Sequence, residues 1–332
     1  MVIALSSALS RYDSLLVLHL CSLSDAKPIQ AAVQAAAKST QQRLLVYFSS
    51  TAYWKQLVAT SQSRQRHFGL VQSFISQVYV LASAELREDA GVDIVIEALR
   101  GGQRLVEEYQ SVKQRFAFAR EVSLEQPDGL DQQAGEEESE KDCSELGTVA
   151  LGGTFDHLHP GHQILLTMAC WLAGRRVIVG VTGALALLSF RTQQIPSDSE
   201  LPDDLLLRGK SDRDLLESLT ERTAAVRSFL SLVGPHLQHD TPALQNVYGP
   251  TATDPDVQGI LVSEETRLGA SSIAAKRAEN SLSTLRMFVI KVISPRSVLD
   301  DKTSAQDLVK IKIGSTAIRR RMKERMIKQG EQ

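Results

Sequence analysis

Residues 152–162 read Gly-Gly-Thr-Phe-Asp-His-Leu-His-Pro-Gly-His and hold three of the chain's seven histidines. Before them, Val149, Ala150 and Leu151 form a short apolar run that predicts a buried strand over 147–151. After them, Ile164, Leu165, Met168, Trp171 and Leu172 recur at helical spacing and predict a helix over 162–173. The cluster therefore falls where a strand ends and a helix begins. In an open α/β sheet ligands bind there, because helix N-terminal amides and their partial positive charge face the crevice. Imidazoles, a hydroxyl and free amides converging on that point suit an anion, with phosphate the first expectation.

Within the turn the decisive spacing is His159-Pro160-Gly161-His162. Gly161 lets the backbone approach a ligand with no Cβ in the way, and Pro160 fixes one φ angle. His162 is expected in the first helical turn, where it can donate to a phosphate oxygen. Thr154, after Gly152-Gly153, brings a hydroxyl to the same spot. A second stretch, Lys312-Ile313-Gly314-Ser315-Thr316-Ala317-Ile318-Arg319, offers Ser315 or Thr316 as a helix N-cap, with free amides behind and basic side chains after. Alone it reads as a capped, solvated basic helix. Beside the histidine cluster it reads as a second anion site, since a triphosphate needs several such contacts.

Outward from these motifs, the clearest break is the acidic, polar stretch 125–145, which has linker composition. It separates an N-terminal α/β region, 1–124, from a domain over 146–328. Upstream, Leu15–Leu20, Leu44–Phe48 and Val78–Leu81 read as strands, and Pro28–Lys38 and Ile94–Gln114 as helices. His67 and the Tyr53-Trp54 pair read as ordinary surface or core residues. Downstream, strands at 176–181, near Val247, at 259–262 and at 287–293 alternate with a helix over 212–232 and another from Thr316. That alternation predicts a Rossmann-like parallel sheet with helices on both faces. Residues 184–203 look like an insertion.

Composition narrows the partners. With 37 basic against 39 acidic residues, nothing global points to nucleic acid. A hydrophobic fraction of 43% supports a packed core, yet no apolar run reaches membrane-spanning length. Leu15–Leu20 has no basic stretch before it and reads as a core strand rather than a leader. Cys21, Cys143 and Cys170 share no metal-ligand spacing and read as reduced, structural thiols. A cytoplasmic protein without a membrane partner is the expectation, with a nuclear location also open.

The two motifs together resemble the nucleotidyltransferase superfamily, which carries His-x-Gly-His early and an Ile-Ser-Ser-Thr-like signature late. Three further stretches are similar to the eukaryotic-type phosphopantetheine adenylyltransferases: Gly152–His159, Arg222 with Ala225-Val226-Arg227-Ser228-Phe229-Leu230, and Tyr248-Gly-Pro-Thr onward through Val262-Ser-Glu-Glu-Thr-Arg-Leu-Gly-Ala270. The resemblance covers about 147–328. It implies adenylyl transfer from ATP to 4′-phosphopantetheine, with Mg²⁺ carried on the ATP, a monofunctional chain and a possible association with other coenzyme A enzymes. Thr154 would orient the acceptor phosphate beside Phe155. Gly153, Thr154, His159, Gly161, His162, Ser263, Glu265, Thr266, Gly314, Ser315, Thr316 and Arg319 would surround the ATP. No protein-held metal is implied.

The family's bridging lysine follows the second strand. Here Val181-Thr182-Gly183 leads into Leu187-Leu188-Ser189-Phe190-Arg191, without one. If 184–203 is inserted, the pattern resumes at Asp204 and Lys210 takes that role, with Arg208 second and Arg191 the choice without an insertion. Gly209-Lys210-Ser211 is no Walker loop, because Asp204 stands where its first glycine belongs. Ala274 stands where the family has asparagine, and Gly314 where serine is common. The other readings are a cytidylyltransferase, a nicotinamide-mononucleotide adenylyltransferase, a class I aminoacyl-tRNA synthetase, or a degenerate nucleotide-binding relative. The Arg-Thr-x-Gly-Ile-Ser lead-in expected of the first is absent before Ile313, and the synthetase's lysine-rich late loop is missing.

Overall fold

The computed structural model describes residues 9–23, 26–106, 113–124, 145–183, 212–244, 246, 248–291 and 314–330. Most of the acidic stretch, the segment 184–211, Val247, Cys143, Lys312 and Ile313 lie outside the described residues.

Two parallel sheets divide the chain. The first holds β1 (Ser14–His19), β2 (Arg43–Phe48), β3 (Gly91–Ile96) and β4 (Phe118–Ser123) in the order β3-β2-β1-β4. The second holds β5 (Thr148–Gly153), β6 (Arg176–Thr182), β7 (Gln238–Asp240), β9 (Gly259–Ser263) and β10 (Arg286–Ile290) in the order β10-β9-β5-β6-β7, with β8 (Ala243–Leu244) also on β6. Every pairing is parallel. Near-continuous apolar strands such as Leu44–Phe48 and Val177–Val181 are what a sheet covered on both faces requires.

The helices fill the layers: α1 (Lys27–Ser39), α2 (Ala52–Val58), α3 (Ser61–Arg66), α4 (Phe68–Glu85), α5 (Pro160–Leu172), α6 (Leu219–Val233), α7 (Arg267–Glu279) and α8 (Ser315–Gly330). Two expectations are corrected. Val78–Leu81 is not a strand but part of α4, which is apolar almost all round because it packs against both α1 and α5. A fully buried helix loses the 3.6-residue signature that would distinguish it. Residues 94–96 belong to β3 rather than to a helix, as the β-branched run Val92, Ile94, Val95, Ile96 favours.

Helix α5 joins the two halves. Its residues Leu166, Met168, Ala169, Trp171 and Leu172 are buried, and it packs on α3 and α4 of the first half and on α6 of the second. The Trp171 indole donates to the carbonyl of Arg64 (2.7 Å) and meets Trp54 edge-on at 6.3 Å. Gln163 donates to Asp93 of β3 (2.6 Å), Arg286 to Gln65 (2.6 Å) and Gln72 to the carbonyl of Lys291 (2.9 Å). One hydrophobic core runs through both halves. Trp54 is in that core, and His67 bonds its own helix through Ser63 O (2.8 Å), so both are structural. Cys170 is buried, which pushes its thiol up to about 12.

Candidate functional site

The chain leaves β5 for β6 on one side and has β9 on the other, so the carboxyl end of β5 sits at the point where the strand order reverses. That is where an open α/β sheet leaves a crevice. Two guanidinium bonds and a hydroxyl shape its floor. Arg222 of α6, buried, donates through Nη1 to the carbonyls of Thr154 (2.7 Å) and Thr182 (2.9 Å), tying the ends of β5 and β6 together. Thr182 Oγ1 donates to Gly153 O (2.9 Å).

The turn itself is strained. Phe155 and His157 both take left-handed backbone conformations, with φ of 53° and 45°. Non-glycine residues there cost about 1–3 kcal/mol each and persist only where surrounding contacts fix them. Those contacts are present. The His157 amide donates to Glu217 (2.7 Å), His157 Nε2 lies 2.7 Å from Leu215 O, and Phe155 is fully buried with its ring 5.2 Å from that of His162.

His159 is the N-cap of α5. Its φ and ψ are extended, and its Nδ1 accepts from the Gly161 amide (3.2 Å). A Cβ on Gly161 would approach the His159 ring to 3.1 Å, so glycine at this position keeps the cap open. Because Nδ1 accepts, the ring proton sits on Nε2. Burial lowers the His159 pKa to about 4, against the pull of Asp156. His159 is thus a neutral hydrogen-bond donor near neutral pH, stacked on His162 with ring centres 3.8 Å apart.

Asp156 holds the two motifs together. It is fully buried and pairs with the buried Arg319 of α8. Its Oδ1 accepts from the Glu217 amide (3.0 Å), and its carbonyl accepts from Ser315 Oγ (2.7 Å). Neither Ser315 nor Thr316, the two residues expected as N-cap, holds that position, since the helix already begins at Ser315. Gly314 takes the cap position, its carbonyl accepting from Ile318 N (3.1 Å), while the serine hydroxyl reaches across to the histidine turn.

Gly153, Thr154, Phe155, His159, Gly161 and His162 thus form one turn, and Gly314, Ser315, Thr316 and Arg319 start a helix moored to it. Ser263 ends β9, the neighbour of β5, and its amide bonds Thr266 Oγ1 (3.0 Å). The side chain of Glu265, and Lys210, Arg191 and Arg208, lie outside the described residues. Sequence reasoning gave no role to Asp156, although it lies in the quoted turn. Its partner is 163 residues away, and no spacing rule connects them.

A reversed strand order with a Gly-Gly-Thr turn and a His-x-Gly-His helix start at the switch point defines an α/β protein of the Rossmann-like nucleotidyltransferase class. No family model matches the chain. It is 34% identical over 145 residues to the phosphopantetheine adenylyltransferase of Methanopyrus kandleri, covering 44% of this chain and 78% of that one. It is 32% identical over 186 residues to the phosphopantetheine adenylyltransferase of Saccharomyces cerevisiae, 56% of this chain and 52% of the relative. An uncharacterised Schizosaccharomyces pombe protein is 33% identical over 185 residues, 55% and 51%. The chain spans about half the length of these two yeast relatives. The chain belongs to the phosphopantetheine adenylyltransferase family.

Proposed function

We propose that the protein transfers the adenylyl group of ATP to 4′-phosphopantetheine, giving dephospho-coenzyme A and pyrophosphate. The observation that carries this reading is the Asp156–Arg319 pair, which holds a histidine turn and a second helix start at one sheet edge in a chain of this family. An oxygen of the acceptor phosphate attacks the α-phosphorus in line, and the bond to the bridging oxygen of pyrophosphate breaks. Such a transfer depends on positioning and charge stabilisation rather than a protein nucleophile.

Thr154 orients the acceptor phosphate. His162 and the Nε2–H of His159 donate to ATP phosphate oxygens, and the amides that begin α8 add to them. Lys210 bridges the two substrates, with Arg208 and Arg191 the other basic residues of that segment. Its sequence position supports this role. Gly183 at the end of β6 and the Asp212–Glu217 stretch that binds the turn bracket the segment, and Asp212 accepts from Lys323 of α8 (2.7 Å). The Asp156 carboxylate is engaged by Arg319 and Glu217 N, which suits a Mg²⁺ that arrives on the ATP and neutralises its phosphates.

Pyrophosphate release with ATP and 4′-phosphopantetheine tests the reading, with nicotinamide mononucleotide as the alternative acceptor and CTP as the alternative donor. His162→Ala is expected to lower turnover at least ~100-fold with an unchanged circular-dichroism spectrum. Wild-type-like turnover in that variant, or no release by the wild type, defeats it.

A further inference from the structure

The first sheet has its own reversal of strand order. β1 is flanked by β2 and β4, so its carboxyl end, at His19, is a switch point as well. Three polar side chains meet there, from β1, from β4 and from the residue that follows β2. Ser49 directly follows Phe48, which pairs with Leu18, and Glu121 lies two residues before Ser123, which pairs with His19. Glu121 and His19 therefore share a face.

Those placements make a continuous chain. Ser49 Oγ is 2.5 Å from His19 Nδ1, and His19 Nε2 is 2.7 Å from Glu121 Oε1. An ionised carboxylate only accepts, so Glu121 fixes the ring proton on Nε2 and leaves the Nδ1 lone pair facing the serine hydroxyl. Leu18 O, the other acceptor for that hydroxyl, is farther away at 3.4 Å. The histidine and glutamate side chains are about one-third exposed, at 33% and 35%.

The serine is also held rigidly. Its amide donates to Leu18 O (3.0 Å), its carbonyl accepts from Thr51 N (2.9 Å), and Thr51 Oγ1 donates to Leu20 O (2.8 Å). The Ser50 amide donates to Glu97 (3.0 Å), which Arg104 neutralises at 3.1 Å. Strand, serine, turn and helix follow in that order.

We propose that Ser49 is a base-activated nucleophile, with His19 its general base and Glu121 the positioning residue, forming a second site that accepts activated carboxylic esters or thioesters. Ser49 Oγ bonds to the carbonyl carbon while its proton passes to His19 Nδ1. The carbon–oxygen or carbon–sulfur bond then breaks, and the leaving alcohol or thiol takes that proton. Water repeats the sequence and releases the acid. This site shares no residue with the adenylyl site, so its test stands apart from that reading.

The test is labelling of the full chain with a fluorophosphonate probe, in which Ser49 Oγ displaces fluoride from phosphorus. One label per chain at Ser49, located by peptide mass, is expected. Ser49→Ala should abolish it, His19→Ala should slow it ~100-fold or more, and Glu121→Gln at least about tenfold. Circular dichroism checks each fold, and Glu121→Gln serves if His19→Ala does not fold. No label, label at another residue, or wild-type labelling rates in His19→Ala or Glu121→Gln overturn the proposal.

Discussion

At the residue scale, Asp156 and Arg319 are two fully buried charges whose value lies in each other. Removing one leaves the other uncompensated, which costs about 3–5 kcal/mol, whereas replacing both by apolar residues of similar volume is often neutral. Asp156→Asn is therefore expected to lower the urea midpoint sharply, and Asp156→Leu with Arg319→Met to recover most of the loss. A single variant as stable as wild type would show that the pair is not what moors α8. His159 sets a pH dependence of the same sign as a paired acid's, in a higher pH window. Its folded pKa is about 4, while the unfolded value is near 6.5. Below about 6.5 the unfolded chain takes a proton that the folded chain refuses, so stability present above that pH is lost as pH falls toward 4. His159→Asn keeps a good N-cap residue without titration. Its urea midpoint should fall less than the wild type's between pH 7 and pH 5; equal losses would assign the effect to other groups.

At the element scale, the start of α5 is fixed from both sheets. Gln163 stands next to His162, and its amide donates to Asp93, which also accepts from Arg43 (2.8 and 2.9 Å), Arg11 (3.2 Å) and Tyr12 (2.6 Å). Burial pushes the Asp93 pKa up, but Arg43 and Arg11 outweigh it and hold the carboxyl below its ordinary value. A charged acceptor makes the Gln163 bond one of the stronger kind, worth about 1.5–3 kcal/mol. Gln163→Leu is expected to destabilise by about that amount in urea titrations and to lower pyrophosphate release, because the turn carrying His159 and His162 loses its anchor in the first sheet. Unchanged stability would sink this account of how the halves are coupled.

At the scale of the whole molecule, α5 has no solvent face to spare. Trp171, Met168 and Leu172 are covered from both sides, and Trp54 and Arg64 of the first half supply part of that cover. The chain should therefore unfold thermally in a single transition. A fragment beginning at residue 145 should be largely insoluble or unfolded, because it exposes the tryptophan face of α5. A soluble, folded fragment, or two separate transitions in the full chain, would count against a shared core. Among the described residues no helix is long and apolar enough to cross a membrane.

The sequence by itself determined the local features: β5 and α5 around the histidine turn, the strands at 15–20, 44–48, 176–181 and 259–262, and the late helix, expected from about Thr316 and observed over Ser315–Gly330. Each is written in short-range periodicity, glycine placement or capping chemistry, which act within a few residues. The segment Val78–Leu81 of α4 misled as a strand because these four residues in a row are buried, which erases the periodic pattern that burial on one face creates. Only the tertiary structure decided that Asp156 binds Arg319 and Ser315, that Gln163 binds Asp93, and that Ser49, His19 and Glu121 share a sheet edge. Those contacts depend on strand order and on helices packed between two sheets. They join residues far apart in the chain, and no local spacing encodes which of the many carboxylates and bases will be brought within hydrogen-bond distance.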